Sequence, residues 1–220
     1  MKILYIVGTP IGNLEDITLR ALRVLGEAAV VVCEDTRVTS KLLKHYNLSK
    51  PLKRFDSHSR MPDLDGYDKV AYVSDAGTPG VSDPGAALVA YAREQGAEVV
   101  AIPGPSAVAA LVSIAGKEVG EFVFRAFAPH KKGRETFFKQ VATDLTENEL
   151  ATIFYEAPTR VIKALTLLEK FAPSSHVIIG RELTKKFEEV LEGTPTELVS
   201  LLTTNPEKIR GEFVILIAPN

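Results

Sequence analysis

The sequence predicts an α/β fold made of two α/β domains, with a mostly parallel sheet in the first and a mixed sheet in the second. In the first half of the 220 residues, short apolar runs of strand length alternate with amphipathic helical patterns. Buried strands separated by helices are typical of parallel sheets covered on both faces. Beyond Gly116, strand patterns follow one another with fewer helices between them, which indicates a mixed or antiparallel sheet.

The elements of the first half follow from apolar spacing and from capping residues. Asp16 precedes a helical apolar pattern as a candidate N-cap, and Pro84 stands at the first turn of a later helix that ends at Gly96. The expected strands are residues 2–7, 29–33, 69–73 and 98–102. The expected helices are residues 17–26, 37–46, a segment from 82–85 to 96, and 107–115.

The second half reads in the same way, with a boundary expected between residues 117 and 118. Residues 1–117 are expected to form the N-terminal α/β domain, which carries the glycine- and proline-rich loops, and residues 118–220 the C-terminal mixed-sheet α/β domain. The expected strands there are residues 121–127, 151–155, 175–181, 186–192 and 211–218. The expected helices are residues 133–141, 158–170 and 195–202.

Composition excludes several classes of protein. With 45% hydrophobic and 25% charged residues, the chain has ordinary globular composition rather than that of a disordered protein. Cys33 is the one cysteine, and the four histidines lack metal-ligand spacing, so neither an internal disulfide nor a metal site is expected. The apolar run that stops at Gly8 is too short for a signal peptide, and no stretch approaches the ~20 residues of a membrane span. We therefore expect a cytoplasmic protein with no membrane partner.

Positive charge is concentrated in two islands, although the net charge is only −2. Residues 37–60 contain seven basic residues and one acidic residue, and residues 125–140 contain five basic residues and one acidic residue. Such islands on an acidic body could face phosphate groups. They could also be solvated helix faces and loops, and charge alone favours this second interpretation.

Three loops rich in glycine and proline follow strands of the first domain, namely residues 8–13, 74–80 and 103–106. In open α/β sheets, ligands bind at the carboxyl ends of the strands, and glycine lets the backbone approach them closely. Three such loops favour a ligand cleft over plain turns. None of them has the spacing of a Walker A loop or of the dinucleotide fingerprint, so the residues alone leave the ligand unnamed.

Eight ordered segments carry a resemblance to a known family: residues 4–14, 34–37, 73–79, 82–85, 103–107, 154–160, 181–185 and 211–214. Together they resemble the 16S rRNA (cytidine-2′-O)-methyltransferase family, within the tetrapyrrole methylase superfamily. The resemblance runs through nearly the whole chain. One departure is the segment of residues 61–68, which is shorter than is usual in that family and bears on how a large substrate is gripped.

The resemblance implies S-adenosylmethionine as cofactor, bound in a cleft between the two domains. It also implies a homodimer that acts on the RNA of the small ribosomal subunit. Carried over residue by residue, the cofactor-binding residues are Pro10, Asp75, Ala76, Gly77, Pro103, Gly104, Pro105, Ser106, Tyr155, Leu183 and Thr184.

Methyl transfer to a ribose hydroxyl needs a base, because the neutral hydroxyl is a poor nucleophile. The candidate catalytic carboxylates are Glu34, Asp35 and Glu156. An N-terminal cap of the next helix explains the first two equally well. The candidate RNA-binding residues are Arg37, Lys131, Lys132, Arg134 and Arg181, of which Arg181 could instead form an interdomain ion pair.

Two other functions stay open on the sequence alone. A methyltransferase of the same superfamily could act on a tetrapyrrole or another small molecule, which the acidic body favours and the basic islands oppose. A module that binds S-adenosylmethionine without catalysing transfer is the second alternative. It would bind the cofactor but would show no turnover on any acceptor.

Overall fold

The computed structural model describes residues 1–219, which fall into two compact units that divide after Ser106. The sequence predicted this division after residue 117 instead. The difference comes from the helix Ala107–Ile114, which packs against the strand Phe213–Ala218 of the second unit. Its small-residue pattern shows that it is a helix but does not show which sheet it covers.

The first unit contains a five-stranded sheet of order β3-β2-β4-β1-β5, in which every neighbouring pair is parallel. This confirms the class of fold predicted for the first half of the chain. The elements are β1 (Ile3–Val7), α1 (Leu19–Glu27), β2 (Val30–Cys33), α2 (Thr36–His45), β3 (Leu52–Arg54), β4 (Lys69–Val73), α3 (Gly85–Glu94) and β5 (Glu98–Ile102).

Both faces of this sheet are buried under helices. Because alternate residues of a strand point to opposite faces, one strand contributes side chains to two cores. Val31 and Cys33 of β2 belong to a core that includes residues of α1 and α2. Val30 and Val32 belong to a second core, which includes residues of α3. Strands buried on both faces explain the continuous apolar runs of the sequence.

The second unit contains a sheet of order β6-β7-β10-β8-β9, in which β6 and β7 are parallel and the other pairs antiparallel. The predicted mixed sheet is confirmed. The elements are α4 (Ala107–Ile114), β6 (Phe122–Phe127), α5 (Arg134–Thr146), β7 (Ala151–Glu156), α6 (Val161–Phe171), β8 (His176–Arg181), β9 (Glu189–Gly193), α7 (Pro195–Thr204) and β10 (Phe213–Ala218).

Helices α5, α6 and α7 cover one face of the second sheet and share a core with it. Helix α4 packs against the sheet through Leu111, whose Cδ1 lies 3.1 Å from the Cβ position of Gly180. A fully buried leucine such as Leu111 or Leu165 contributes about 1.5–3 kcal/mol through its removal from water. Within residues 1–219, no helix has the length and apolarity needed to cross a membrane.

Several boundaries differ from the sequence prediction, such as the end of α5 at Thr146 rather than at residue 141, and two of the differences have clear local reasons. Helix α1 begins two residues later than expected, and its N-cap is Thr18, whose hydroxyl accepts a hydrogen bond from the Ala21 amide, rather than Asp16. Asp16 lies instead in a short 3₁₀ turn, Leu14–Asp16. Strand β9 begins at Glu189 rather than at 186, because the preceding residues form a loop in which the Thr184 amide donates a hydrogen bond to the Glu188 carboxylate.

Candidate active site

The three predicted ligand loops lie side by side, because β4, β1 and β5 are consecutive in the first sheet. Backbone hydrogen bonds join the first two loops in both directions. The Thr9 amide donates to the Gly77 carbonyl at 2.9 Å, and the Gly77 amide donates to the Thr9 carbonyl at 3.1 Å. The Thr78 hydroxyl donates to the Pro105 carbonyl at 3.1 Å and so ties in the third loop.

The first and third loops meet backbone to backbone at Gly8 and Gly104. A Cβ on Gly8 would lie 2.7 Å from the Gly104 Cα, and a Cβ on Gly104 would lie 2.8 Å from the Gly8 Cα. Contacts this short exclude any side chain at either position. Both glycines are therefore required for the close approach of the two loops, which places Gly8 against Gly104, the residue between Pro103 and Pro105.

A cleft of about 360 Å³ opens between the loop after β1, the loop after β4 and one face of α2. Of the predicted cofactor-binding residues, Pro10, Asp75 and Ala76 line it, and Lys41 lines it from α2. Gly77 lies behind these residues, is buried and has φ +78, a conformation that favours glycine. The residues from Pro103 to Ser106 do not line this cleft. They support it through the contacts with Gly8 and Thr78 described above.

Glu34 is the carboxylate of this region whose environment most resembles that of a proton acceptor. It follows β2 and is half-buried. Burial, reinforced by the negative charges of Asp75, Asp83 and Asp56, raises the pKa of Glu34 to about 7. Desolvation and like charges both disfavour the ionised form, so they act in the same direction.

Asp35, the neighbouring candidate, has the opposite environment. Its carboxylate accepts hydrogen bonds from the Nε and Nη2 of Arg37 at 3.0 and 2.6 Å, and it caps α2 through the Arg37 amide at 2.8 Å. Those hydrogen bonds hold the pKa of Asp35 well below its usual range. This geometry supports the capping interpretation for Asp35, whereas the raised pKa of Glu34 is the one that suits a proton acceptor. The Arg37 side chain is 85% exposed.

Asp83 organises the turn that leads into α3, a role that the sequence pattern suggested only as a helix start. One oxygen accepts hydrogen bonds from the Gly85 amide at 2.8 Å and from the Tyr72 hydroxyl at 3.1 Å. The other oxygen accepts hydrogen bonds from the amides of Gly80 and Val81 at 2.5 and 3.0 Å. Asp83 thus fixes the end of the loop that carries Asp75.

The predicted cofactor residues of the second unit lie around the ends of β7 and β8. Tyr155 is half-buried between the rings of Phe124 and Phe127, and burial raises the pKa of its hydroxyl. Leu183 is buried against Gly180. Thr184 has φ +66 and its amide donates a hydrogen bond to the Glu188 carboxylate at 2.5 Å.

Glu156 was predicted as a possible base, but the structure makes it the centre of a buried ion-pair cluster. Its side chain is fully buried, with Oε2 2.7 Å from Arg134 Nη2 and Oε1 2.8 Å from Arg160 Nε. Oε1 also accepts a hydrogen bond from the Ala157 amide at 2.8 Å. With both oxygens engaged, the carboxylate is better placed to join α5 to the turn before α6 than to accept a substrate proton.

Two predicted RNA contacts are occupied inside the protein. Arg134 is 11% exposed and, besides pairing with Glu156, donates hydrogen bonds to the carbonyls of Pro129 and Arg160. Arg181 is 12% exposed, pairs with Glu189 at 3.3 Å and donates to the Arg210 carbonyl at 2.9 Å. These contacts favour structural roles for both arginines. Lys131 and Lys132 are exposed, and their role in RNA binding stays a prediction.

Comparison with known proteins assigns this arrangement to a class. Residues 3–199 match the family model described as tetrapyrrole (corrin/porphyrin) methylases. The chain therefore belongs to the tetrapyrrole methylase family, whose members are methyltransferases that use S-adenosylmethionine as methyl donor. The resemblance inferred from the eight sequence segments is confirmed at this level.

Within that family, the chain is similar over nearly its whole length to proteins named ribosomal RNA small subunit methyltransferase I. The relative from Coprothermobacter proteolyticus is 42% identical over 99% of this chain and 98% of its own length. That from Borrelia garinii subsp. bavariensis is 41% identical over 98% of both chains. That from Neisseria meningitidis serogroup B is also 41% identical, over 98% of this chain and 76% of its own length.

Solved structures share the fold at lower identity. The methyltransferase CobJ has a TM-score of 0.68 and 19% identity, covering 100% of this chain and 95% of its own. The cobalt precorrin-4 methyltransferase CbiF has a TM-score of 0.67 and 19% identity, covering 98% of this chain and 94% of its own. At this identity, the likeness establishes the fold alone.

Proposed function

We propose that this chain transfers a methyl group from S-adenosylmethionine to the ribose 2′-hydroxyl of a cytidine in the 16S RNA of the small ribosomal subunit. The observation that carries the proposal is the identity of about 40%, over 98% or more of this chain, to proteins named ribosomal RNA small subunit methyltransferase I. The cytidine and the 2′-oxygen rest on the family resemblance of the eight sequence segments.

The cleft beside α2 suits part of S-adenosylmethionine. Its volume of about 360 Å³ is in the range of small-molecule sites, about 300–1,000 Å³. The Asp75 carboxylate can accept hydrogen bonds from an ammonium group or from ribose hydroxyls, and Ile11 and Val38 offer apolar surface to an adenine ring. When bound, the cofactor supplies an activated methyl group on a sulfonium centre.

Glu34 is the base that we assign to the reaction. Pro10, Asp75 and Ala76 would hold the cofactor, which would supply the methyl group, and the Glu34 carboxylate would accept the proton of the acceptor hydroxyl. A general base works best when its pKa lies near the working pH, and the pKa of Glu34 is raised to about 7. Positioning of acceptor and donor supplies the rest of the rate enhancement.

The loops around the cleft have a positioning role in this proposal. Hydrogen bonds between Thr9 and Gly77, together with the Gly8–Gly104 contact, fix the backbone without the help of side chains. A fixed backbone lowers the entropy lost when cofactor and acceptor are brought together. We also propose that the protein acts in the cytoplasm as a homodimer, and that Lys131 and Lys132 contribute to RNA binding.

Transfer of labelled methyl groups tests the proposal. Small ribosomal subunits from cells that lack the protein are incubated with labelled S-adenosylmethionine and the protein, and the RNA is then digested to nucleosides. Label in 2′-O-methylcytidine is the expected result, and Glu34→Gln should reduce its rate of appearance about 100-fold or more. If the protein binds the cofactor but the subunits stay unlabelled, the proposal is contradicted and a small-molecule acceptor is favoured.

A further inference from the structure

Six of the seven basic residues in the island of residues 37–60 fall into two groups with different roles, and Arg60 belongs to neither group. In the first group, each cation is engaged within the unit. The Lys50 and Lys53 ammonium groups donate hydrogen bonds to the carbonyls of Gly26 and Asp63. Arg54 pairs with Asp56 at 2.6 Å. These three cations hold loops in place, so they do not account for a surface that binds a partner.

The second group lies along one face of α2 and consists of Arg37, Lys41 and Lys44, which we call the α2 stripe. All three residues are exposed, whereas Leu42 and Leu43 bury the opposite face of the helix. Residues spaced by four and three positions lie above one another on a helix, and seven residues span about 10 Å along the axis. The stripe is therefore a continuous row of three cations.

Internal partners do not account for this row. Within residues 1–219, no carboxylate lies within 4.0 Å of the ammonium group of Lys41 or Lys44. Arg37 stands in the first turn of α2, where the helix dipole disfavours a cation. Asp35 compensates by binding its Nε and Nη2, and this fixes a guanidinium group that is still 85% exposed.

The α2 stripe is continuous with the candidate active site. Lys41 lines the cleft together with Asp75 and Pro10, while Lys44 lies one turn further along the helix. Lysine and arginine rows of this kind contact phosphate oxygens, which positions a nucleic acid without reading its sequence. A polyanion that follows the stripe is thereby led to the edge of the cleft.

We propose that the α2 stripe binds the phosphodiester backbone of the substrate RNA beside the target nucleotide, with Lys41 on the phosphate nearest the cleft. This inference rests on the proposed function, because it names the surface through which that function reaches its substrate. It assigns Lys41 and Lys44 to RNA binding in addition to Arg37, and it leaves the selection of the nucleotide to other residues.

The test compares two double variants with the same change of charge. Lys41→Gln/Lys44→Gln removes two cations from the stripe, and Lys117→Gln/Lys163→Gln removes two exposed cations of the second unit as a control. Affinity for small ribosomal subunits from cells that lack the protein is measured over a range of salt concentrations. Calorimetry with S-adenosylmethionine alone is run on the same proteins.

The stripe variant should bind subunits about 10-fold more weakly, and its slope of log K against log salt should fall by about 1.5, which corresponds to two lost phosphate contacts. Its affinity for S-adenosylmethionine should equal that of the control. If the stripe variant keeps the wild-type affinity for subunits and the wild-type salt slope, the inference is wrong. Methylation of subunits by the wild-type protein would then leave the proposed function intact. Loss of cofactor affinity in the stripe variant would overturn the inference too, by assigning Lys41 to the cofactor. A wild-type protein that neither binds nor methylates subunits would overturn both proposals.

Discussion

The Asp75 carboxylate accepts a hydrogen bond from the Asp35 amide at 3.0 Å, so the loop after β4 is joined to the turn after β2. The two residues are 40 positions apart in the chain, and they meet because β2 and β4 are neighbours in the sheet. Glu34, which precedes Asp35, is thereby placed within the field of the Asp75 charge. The contact links the lining of the cleft to the carboxylate that we assign as the base.

Replacing Asp75 by Asn should shift the pH dependence of turnover to lower pH. Wild-type kcat should rise with pH through about 7, because Glu34 must be ionised to accept a proton. Asn keeps an oxygen for the Asp35 amide but removes the second-largest cause of the raised pKa of Glu34, after burial. The rise in kcat should then occur at lower pH when S-adenosylmethionine is saturating.

Asp65→Asn, which changes an exposed carboxylate in the loop before β4, serves as the matched control for this profile. It should leave the pH dependence of kcat unchanged. If Asp75→Asn has a profile that superimposes on that of the wild type, either Glu34 is not the base or Asp75 does not influence it. The Glu34→Gln variant, which should show no rise near pH 7, separates these two explanations.

Replacing Glu34 by Gln should raise the free energy of unfolding above that of wild type. This gain should be larger at alkaline pH than at acidic pH. The pKa of Glu34 is about 7 in the folded protein against 4.5 for an ordinary glutamate, so its contribution to stability is lost as pH rises between these values. Gln does not ionise and avoids this loss. The gain at pH 8.5 should be of order 1 kcal/mol, once solvent screening of this half-buried group is allowed for.

Urea unfolding at pH 5.0 and pH 8.5 measures this difference, with wild type and variant compared at each pH. A gain in the free energy of unfolding at pH 8.5 that shrinks at pH 5.0 is the expected pattern. Equal effects at both pH values would mean that the pKa of Glu34 is not raised in the folded protein. A carboxylate that lowers stability is consistent with the catalytic role proposed for Glu34, because active sites commonly trade stability for activity.

Sequence patterns predicted two strands of the first sheet, β4 and β5, with the bounds that the structure has. Strands β4 and β5 begin and end where the apolar runs do, because both are bounded by polar or turn-forming residues. Strand β3 was missed. It has only three residues, Leu52–Arg54, two of which are basic, and it lies at the edge of the sheet, where one-sided pairing leaves no periodic apolar signal.

The candidate site was predicted in part, and the difference lies in long-range partners. Local motifs placed Glu34 and Asp75 just after strands, as the structure does, and their functional roles stay predictions. The motifs could not separate the arginines that face solvent from those that are buried, since Arg134 and Glu156 meet only after β7 and α5 have packed. Arg37, by contrast, was predicted as an RNA contact, and although it pairs with Asp35 two positions away, its side chain is 85% exposed.

Replacing Arg134 by Met should destabilise the protein strongly. The substitution would leave Glu156 buried with one of its two guanidinium partners removed, and breaking a buried pair typically costs about 3–5 kcal/mol. Arg93→Met, on the exposed last turn of α3, is the control and should change stability by no more than about 0.5 kcal/mol. Denaturant unfolding measures both.

A second substitution separates the buried charge from lost packing in this cluster. Glu156→Gln added to Arg134→Met should restore part of the lost stability, because it removes the charge that was left with a single partner. If Arg134→Met instead folds with wild-type stability but loses affinity for ribosomal subunits, then Arg134 is an RNA contact after all, and the structural role assigned here is wrong.

Adding a single methyl group at Gly8 or Gly104 should separate the loops that surround the cleft. In Gly8→Ala the new Cβ would lie 2.7 Å from the Gly104 Cα and amide nitrogen, so one of the two backbones must move. Overpacking of this kind costs about 1–3 kcal/mol in the free energy of unfolding. Because the displaced loops frame the site, affinity for S-adenosylmethionine should fall as well, by a factor that calorimetry measures.

Gly26→Ala is the matched control, since its Cβ meets nothing closer than the Leu48 Cδ2 at 3.7 Å, and a helical alanine there should stabilise the protein by about 0.5–1 kcal/mol. Cofactor affinity that survives in Gly8→Ala and in Gly104→Ala would place the cofactor away from these loops.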